Sequence, residues 1–288
     1  MPRVYNLFAY LTVGGYLAAC ALISPLHGDH WLSLGVGFTY FVFVWFTNGI
    51  YLGNALHLGL SHRSLDVKPW FVHAITVFTN TFCVYINPVT WCNRHRLHHT
   101  YADHAGDPNK LERDGLFRTA WLMLLPYPCV AEMTTEPIFR SWSMRLVSNL
   151  YYAVFSQFSS YALLWALTGD WKFALVPWAG MRLVAGYINL LQNYWTHDRR
   201  FGTRRYQDEG DHAMNIDHWL PVWLSFSACL QNNHHHAPRF VRLSHDPREP
   251  DFGFTTVKWM RALGLARPNP AGLLVPEGAN LSGGPGIS

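Results

Sequence analysis

The chain has 288 residues, half of them hydrophobic, 16% aromatic and only 14% charged, against ~25% charged in an average soluble domain. Its net charge is a modest +4. These values exclude a disordered chain, a coiled coil and an ordinary nucleic-acid-binding protein, and they suit one membrane domain with no second module.

The chain opens Met1-Pro2-Arg3 and runs straight into apolar sequence without a small-residue cleavage site, so no cleaved signal peptide is expected. Residues 4–24 carry no charge, enough for a helix to cross a ~30 Å hydrocarbon layer. After the short connection 25–30, residues 31–56 are again uncharged. Segment 70–93 is uncharged too, but its Asn80, Asn87, Pro88 and threonines suit a helix that bends or lies in the interface. Residues 146–168 are uncharged, and 173–194 are interrupted by Arg182 alone, with only 169–172 between the two. Arg182 is read as a buried charge that is either functional or bonded to polar groups between spans.

Charge decides between four spans and five. With spans at 4–24, 31–56, 146–168 and 173–194 and both termini inside, every one of the 22 Lys and Arg except Lys172 and Arg182 falls on the cytoplasmic side. A fifth span at 70–93 would divide these charges between the two sides. The expected fold is therefore an all-α integral membrane protein with four transmembrane helices, 70–93 being a non-spanning helix. Residues 198–266 have the mixed character of a cytoplasmic helical cap. Residues 267–288, rich in Pro and Gly, read as a flexible tail after a folded domain of 1–266. Five scattered cysteines without a C-x-x-C pair read as reduced thiols.

The 16 histidines carry the chemistry. His57 and His62 end the second span. His95, His98 and His99 follow 70–93. Asn193 and His197 close the fourth span, and His234, His235 and His236 lie in the cap. In the four-span topology all these clusters lie on one side of the membrane; if 70–93 crossed, His57 and His95 would be on opposite sides. Spacings of three and four project His95 and His98 or His99 from one helix face, as chelation needs. Imidazole suits Fe, Zn, Cu and Ni, and even eight of these nine histidines are too many for one four-coordinate ion. Two adjacent metals fit the number better. A lone interfacial histidine is more often a packed residue; four clusters on one side are a different observation. His27, His30, His73, His212, His218 and His245 read as structural or solvated, and alanine at His27 or His245 is expected to be tolerated.

These motifs resemble the membrane-bound fatty acid desaturases, most closely the stearoyl-CoA desaturase-like Δ9 branch, over roughly residues 5–266. His-Leu-Gly-Leu-Ser-His at 57–62 resembles the family's first box. Trp91, then His95, His98 and His99 with Asp107-Pro108, resembles the second. Asn193 with His197 matches an N-x-x-x-H pair, in which the asparagine acts through a water. Asn232-Asn233-His234-His235 with Pro238 resembles the third box, and 249–266 resembles the closing amphipathic segment. The resemblance implies two iron ions bound by His57, His62, His95, His98, His99, His197, His234 and His235. Asn193, Gln231 and His236 would be further or water-mediated contacts, and Trp91, Arg96 and Asp107 would support the ligands or touch substrate. It also implies O2 as co-substrate, an acyl chain losing two hydrogens, and a cytoplasmic active site in a bacterial inner membrane. Surrounding lipids and a separate ferredoxin-, rubredoxin- or cytochrome b5-type electron donor would be the partners, with no nucleic acid. No His-Pro-Gly-Gly haem motif occurs.

Two departures matter. Gln231 stands where this branch has histidine, and an amide oxygen is a weaker ligand than imidazole; His236 could compensate, or the register could shift to His235 and His236. Leu125 and Pro126 stand where the acyl-CoA branch has the basic residues that hold CoA, and Asn93 where a further arginine is common. An acyl group on a lipid or an acyl-carrier protein is therefore expected over acyl-CoA, with Arg94 and Arg96 as the nearby cations that could reverse that preference. A hydroxylase or acetylenase on the same scaffold is the close alternative, and a histidine-lined metal transporter the distant one.

Overall fold

The computed structural model describes residues 4–109, 115–124 and 129–281. Helix α1 (Val4–Leu22) turns at Gly28, whose φ of 80° closes the loop, into α2 (His30–Asn48). The Asp29 carboxylate starts α2 by accepting the N–H groups of Trp31 and Leu32. Without a break, α2 continues as a π-helix, Gly49–Ser61.

After strand β1 (Leu65–Val67) the uncharged stretch 70–93 is not one helix but parts of two, α3 (Pro69–Phe82) and α4 (Pro88–Tyr101). Pro88 cannot continue a helix, and Asn87 caps α4 by accepting the N–H groups of Val89 and Thr90. Each has 14 residues, ~21 Å, short of a ~30 Å hydrocarbon layer. Next come α5 (Gly115–Leu124), two 3-10 turns, and α6 (Trp142–Val147). Helix α7 (Leu150–Thr168) begins four residues later than expected because Asn149 caps it. It ends at Gly169, left-handed at φ 68°, and Asp170 caps α8 (Trp171–Asn193).

Among the described residues, three helical stretches are long and apolar enough to cross a membrane: Val4–Leu22, His30–Ser61 and Trp171–His197. Helix α7 is as long as α1 but interrupts its apolar run with Ser156, Gln157, Ser159 and Ser160. Ser156 and Ser160 are buried, and Ser159 donates to the Thr81 carbonyl of α3. The Gln157 carbonyl accepts Trp178 Nε1–H and Arg182, whose guanidinium also bonds the Trp178 carbonyl and stacks over the Trp178 ring. Arg182 thus ties α8 to α7. The opposite face of α7 exposes Leu150, Tyr151, Val154, Phe155 and Phe158.

Helix α1 packs against both α2 and α8. The cap follows, with short helices α9 (Trp219–Leu224) and α10 (Gln231–His236) and the longer α11 (Phe252–Ala262). Strand β2 (Ala266–Pro268) pairs antiparallel with β1, a small sheet that the all-α expectation lacks. It carries ordered chain past residue 266, where the sequence places the end of the folded domain. Gly272 then bonds Val241, and the Asn280 N–H bonds the His245 carbonyl.

Candidate metal centre

The spacing of His57 and His62 needs the π-helix. In an α-helix a step of five residues turns ~500° and leaves two side chains ~140° apart. Hydrogen bonds to the fifth residue widen the turn so that they overlie. Here the His62 N–H bonds the His57 carbonyl at 3.0 Å, and the ring centroids are 4.9 Å apart. Helix α4 supplies His95, His98 and His99, the 3-10 turn after α8 supplies His197, and α10 supplies His234 and His235.

The nitrogens gather in two groups, His57 with His62, His95 and His234, and His98 with His197 and His235; within each, all ligand atoms lie within 4.8 Å of one another. Nε2 separations are 3.0 Å for His57–His234, 2.8 Å for His62–His95 and 3.3 Å for His98–His235. Two nitrogens bound ~2.1 Å from one ion stand ~3.0 Å apart at a right angle and ~3.4 Å apart at a tetrahedral one. The spacing is that of ligands around an ion. His99 lies between the groups, its Nε2 3.0 Å from that of His234 and its ring 4.6 Å from that of His235. The sequence expectation that one helix face forms one chelate changes here: His95 and His98 serve different groups, so α4 sets the two groups side by side.

The rings are held from behind unequally. In the second group Nδ1 of His98 pairs with Asp107 at 2.9 Å, that of His197 with Asp103 at 3.3 Å, and that of His235 with Asp211 at 3.3 Å. A carboxylate on Nδ1 keeps the proton there and turns the Nε2 lone pair toward the centre. In the first group Nδ1 of His234 is buried with no hydrogen-bond partner among the described residues. Burial pushes His62, His95, His99 and His234 well below the ordinary histidine value, and neighbouring imidazoles push the same way. Burial takes His98 down to about 4 although Asp107 pulls it up. The His98–Asp107 contact is therefore a neutral imidazole donating to a carboxylate. Burial opposes charge on Asp103, Asp107 and Asp211, but the hydrogen bonds from His197, His98 and His235 hold each carboxyl below the usual range. Neutral imidazoles with free ring nitrogens, as at His62, His95, His98, His99 and His234, are donors for a divalent cation, whereas at His197 burial is outweighed by Asp103, which raises the ring above the ordinary histidine value.

Sequence alone missed Asp103 and Asp211. Asp103 stands 94 positions from His197, and carboxylates are too common to stand out at such a distance.

Trp91 stacks on His95, with centroids 4.8 Å apart. Arg96 binds Glu136 and the carbonyls of Leu60, Ser61 and Met133. It therefore neutralises the C-terminal end of the π-helix. His236 leaves the centre, stacking on Tyr206 at 3.7 Å and pairing with Asp208 at 3.0 Å. The ring positions thus follow the register His234 and His235, not the shifted one. The Asn193 amide bonds back to Asn189, and Gln231 Nε2 donates to the Ala228 carbonyl. The adjacent asparagines are scaffolding. Asn232 accepts the N–H groups of Arg205 and Tyr206, and Asn233 joins Asn215, Leu243 and Glu249.

Of the six histidines set aside, His73 shares a hydrogen bond with Ser143. His245 is wholly buried and shares one with Tyr206. Alanine at His245 would therefore leave a cavity and an unpaired tyrosine hydroxyl, which reverses the expectation that it is tolerated. Leu125 and Pro126 lie outside the described residues. Asn93 is pinned to both backbone groups of Val130, and Arg94 to Asn109 and Pro108.

Comparison with known proteins gives the same direction. The pattern of the family described as Fatty acid desaturase matches residues 5–246. The chain is 28% identical to the sn-1 stearoyl-lipid 9-desaturase of Anabaena variabilis, over 92% of this chain and 93% of that one. It is 27% identical to the sn-1 stearoyl-lipid 9-desaturase of Synechocystis sp., over 82% and 71%. It is also 25% identical to the acyl-CoA C20 Delta5-desaturase of Anemone leveillei, over 91% and 80%.

Proposed function

The chain belongs to the fatty acid desaturase family, and from that premise we propose that it inserts a double bond into an acyl chain carried by a membrane lipid, at a centre of two iron ions. The observation that carries this reading is the pair of neighbouring histidine groups, spaced as ligands and joined by His99. His57, His62, His95 and His234 would hold one ion and His98, His197 and His235 the other. When bound, the metals would supply O2 activation with two electrons from a separate ferredoxin-, rubredoxin- or cytochrome b5-type protein, so that two acyl hydrogens, those two electrons and two protons from solvent take O2 to two waters. The chain's own residues do the rest. Asp103, Asp107 and Asp211 keep Nδ1 protonated, Trp91 fixes the plane of His95, and Arg96 with Glu136 locks the end of the π-helix against α4.

Relatives named for lipid and for CoA substrates both match, so the carrier is argued from residues. CoA phosphates need fixed cations. Asn93 is neutral and pinned, and Arg94 and Arg96 are engaged within the protein. This supports acyl lipid, or an acyl-carrier protein, over acyl-CoA. Helix α7, with its lipid-like outer face, would be the fourth span, which puts the histidines and both termini on the cytoplasmic side. Grouping at one end of the spans argues against an ion pathway across the membrane.

Lipid analysis of a host expressing the protein should show new unsaturated acyl chains in membrane lipids. His98→Ala should lose about 99% of them, since a ligand and not a packing contact is removed. Full activity in that variant, or products confined to acyl-CoA, would sink the reading.

A further inference from the structure

A second concave feature lies where β1, β2, α3 and α11 meet, away from the histidines. Its volume is about 530 Å³, and Lys68, Arg261 and Arg267 line it together with Asp66, its one carboxylate among the described residues. Arg267 and Asp66 pair at 3.6 Å, but both are exposed, 81% and 53%, and such a pair is weak and readily exchanged. The net charge of the pocket is positive.

Its depth follows from α2. Trp259 of α11 packs against Phe46 at 6.0 Å. Phe46 lies 16 residues along α2 from His30, ~24 Å at 1.5 Å per residue, close to the far edge of a ~30 Å hydrocarbon layer. Trp259 therefore sits where hydrocarbon gives way to headgroups, and Arg261 stands two residues further along α11. Trp70, Trp259 and Leu263, within two residues along the chain of the lining Pro69, Arg261 and Gly264, are 59%, 53% and 72% exposed. Exposed aromatic and aliphatic side chains beside cations mark an element lying in the membrane interface, with apolar groups in the lipid and charges at phosphate level.

We propose that this pocket binds the phosphate-bearing headgroup of an anionic membrane phospholipid. Guanidinium and ammonium groups meet phosphate by charge-assisted hydrogen bonds, and a negatively charged leaflet supplies that ligand at this depth. The bound lipid seats α11 and the small sheet against the membrane. The inference rests on the membrane-spanning reading but not on the desaturation chemistry.

The full-length protein is purified in detergent and incubated with equal amounts of phosphatidylglycerol and phosphatidylcholine, and retained lipid is counted by native mass spectrometry. The wild type should retain phosphatidylglycerol at least about fivefold over phosphatidylcholine. Lys68→Gln/Arg261→Gln/Arg267→Gln should bring the ratio near one at an unchanged melting temperature. Asp66→Asn should raise it, and decides the matter alone should the triple variant fail to fold. No preference in the wild type, or a ratio that neither variant moves, overturns the proposal. So does displacement of the lipid by millimolar inorganic phosphate or CoA, which would make this a site for soluble phosphates. Host lipid unsaturation, measured separately, reports on the desaturase reading, so the two can fail independently.

Discussion

At the scale of single residues, the two histidine groups differ in what stands behind them. Asp103, Asp107 and Asp211 each back one ring of the second group, whereas His234 in the first has a bare Nδ1 among the described residues. Removing a carboxylate from behind a ligand costs about 10–100-fold in metal affinity. Asp211→Asn should therefore lower the metal retained against a chelator from about two ions per chain toward one, with little change in fold, because the amide keeps the size of the side chain. Metal analysis of the purified variant reads this directly. Retention equal to the wild type would mean that Asp211 merely fills space. The eight ligand candidates were legible in the sequence because histidine is rare enough for its clusters to stand out. Their carboxylate partners were not, since nothing local marks an aspartate that meets its histidine only after folding.

At the scale of elements, close approach of helices is set by small residues. Tyr16 of α1 donates its hydroxyl to the Gly37 carbonyl of α2 at 2.8 Å. A Cβ on Gly180 of α8 would stand 2.5 Å from its ring. One tyrosine thus wedges into two helices that make room for it. Gly180→Ala should cost about 1–3 kcal/mol as overpacking and lower the melting temperature in detergent. Gly186→Ala, where a Cβ would meet nothing within 4 Å, should be neutral or slightly stabilising. Equal effects of the two would remove the wedge from the account. The π-helix belongs to this scale as well. The interval of five between His57 and His62 is plain in the sequence, but it implies overlying rings only once the helix is wound to match, and no residue propensity marks that winding in advance.

At the scale of the whole molecule, the proposed four-span arrangement would place Gly28 on the outer side and the C-terminus on the side of the histidines. Reporter fusions after Gly28 and at Ser288 should read opposite sides of the membrane. The same side for both would break the four-span arrangement, in which α7 crosses although it is more polar than the other three. Ser159 turns toward the Thr81 carbonyl of α3, and Arg182 of α8 meets Ser160 and the Gln157 main-chain carbonyl, which would let a helix of middling hydropathy cross at little cost.

The sequence by itself determined the family and the membrane character. Long uncharged runs have few places to go but lipid, and histidines at fixed intervals on short segments carry a metal signature that survives without knowledge of the fold. Gly169, Asp29, Asp170 and Asn149 likewise act on neighbours within a few residues, so the hairpins and helix starts are local facts. Only the tertiary structure decided how the histidines divide into two groups, that His236 turns away to Tyr206, and that the chain beyond residue 266 is stitched to the cap. Each of those outcomes depends on which partner reaches a side chain first across tens to hundreds of residues. Such a choice is made by packing and burial, which no window along the chain contains.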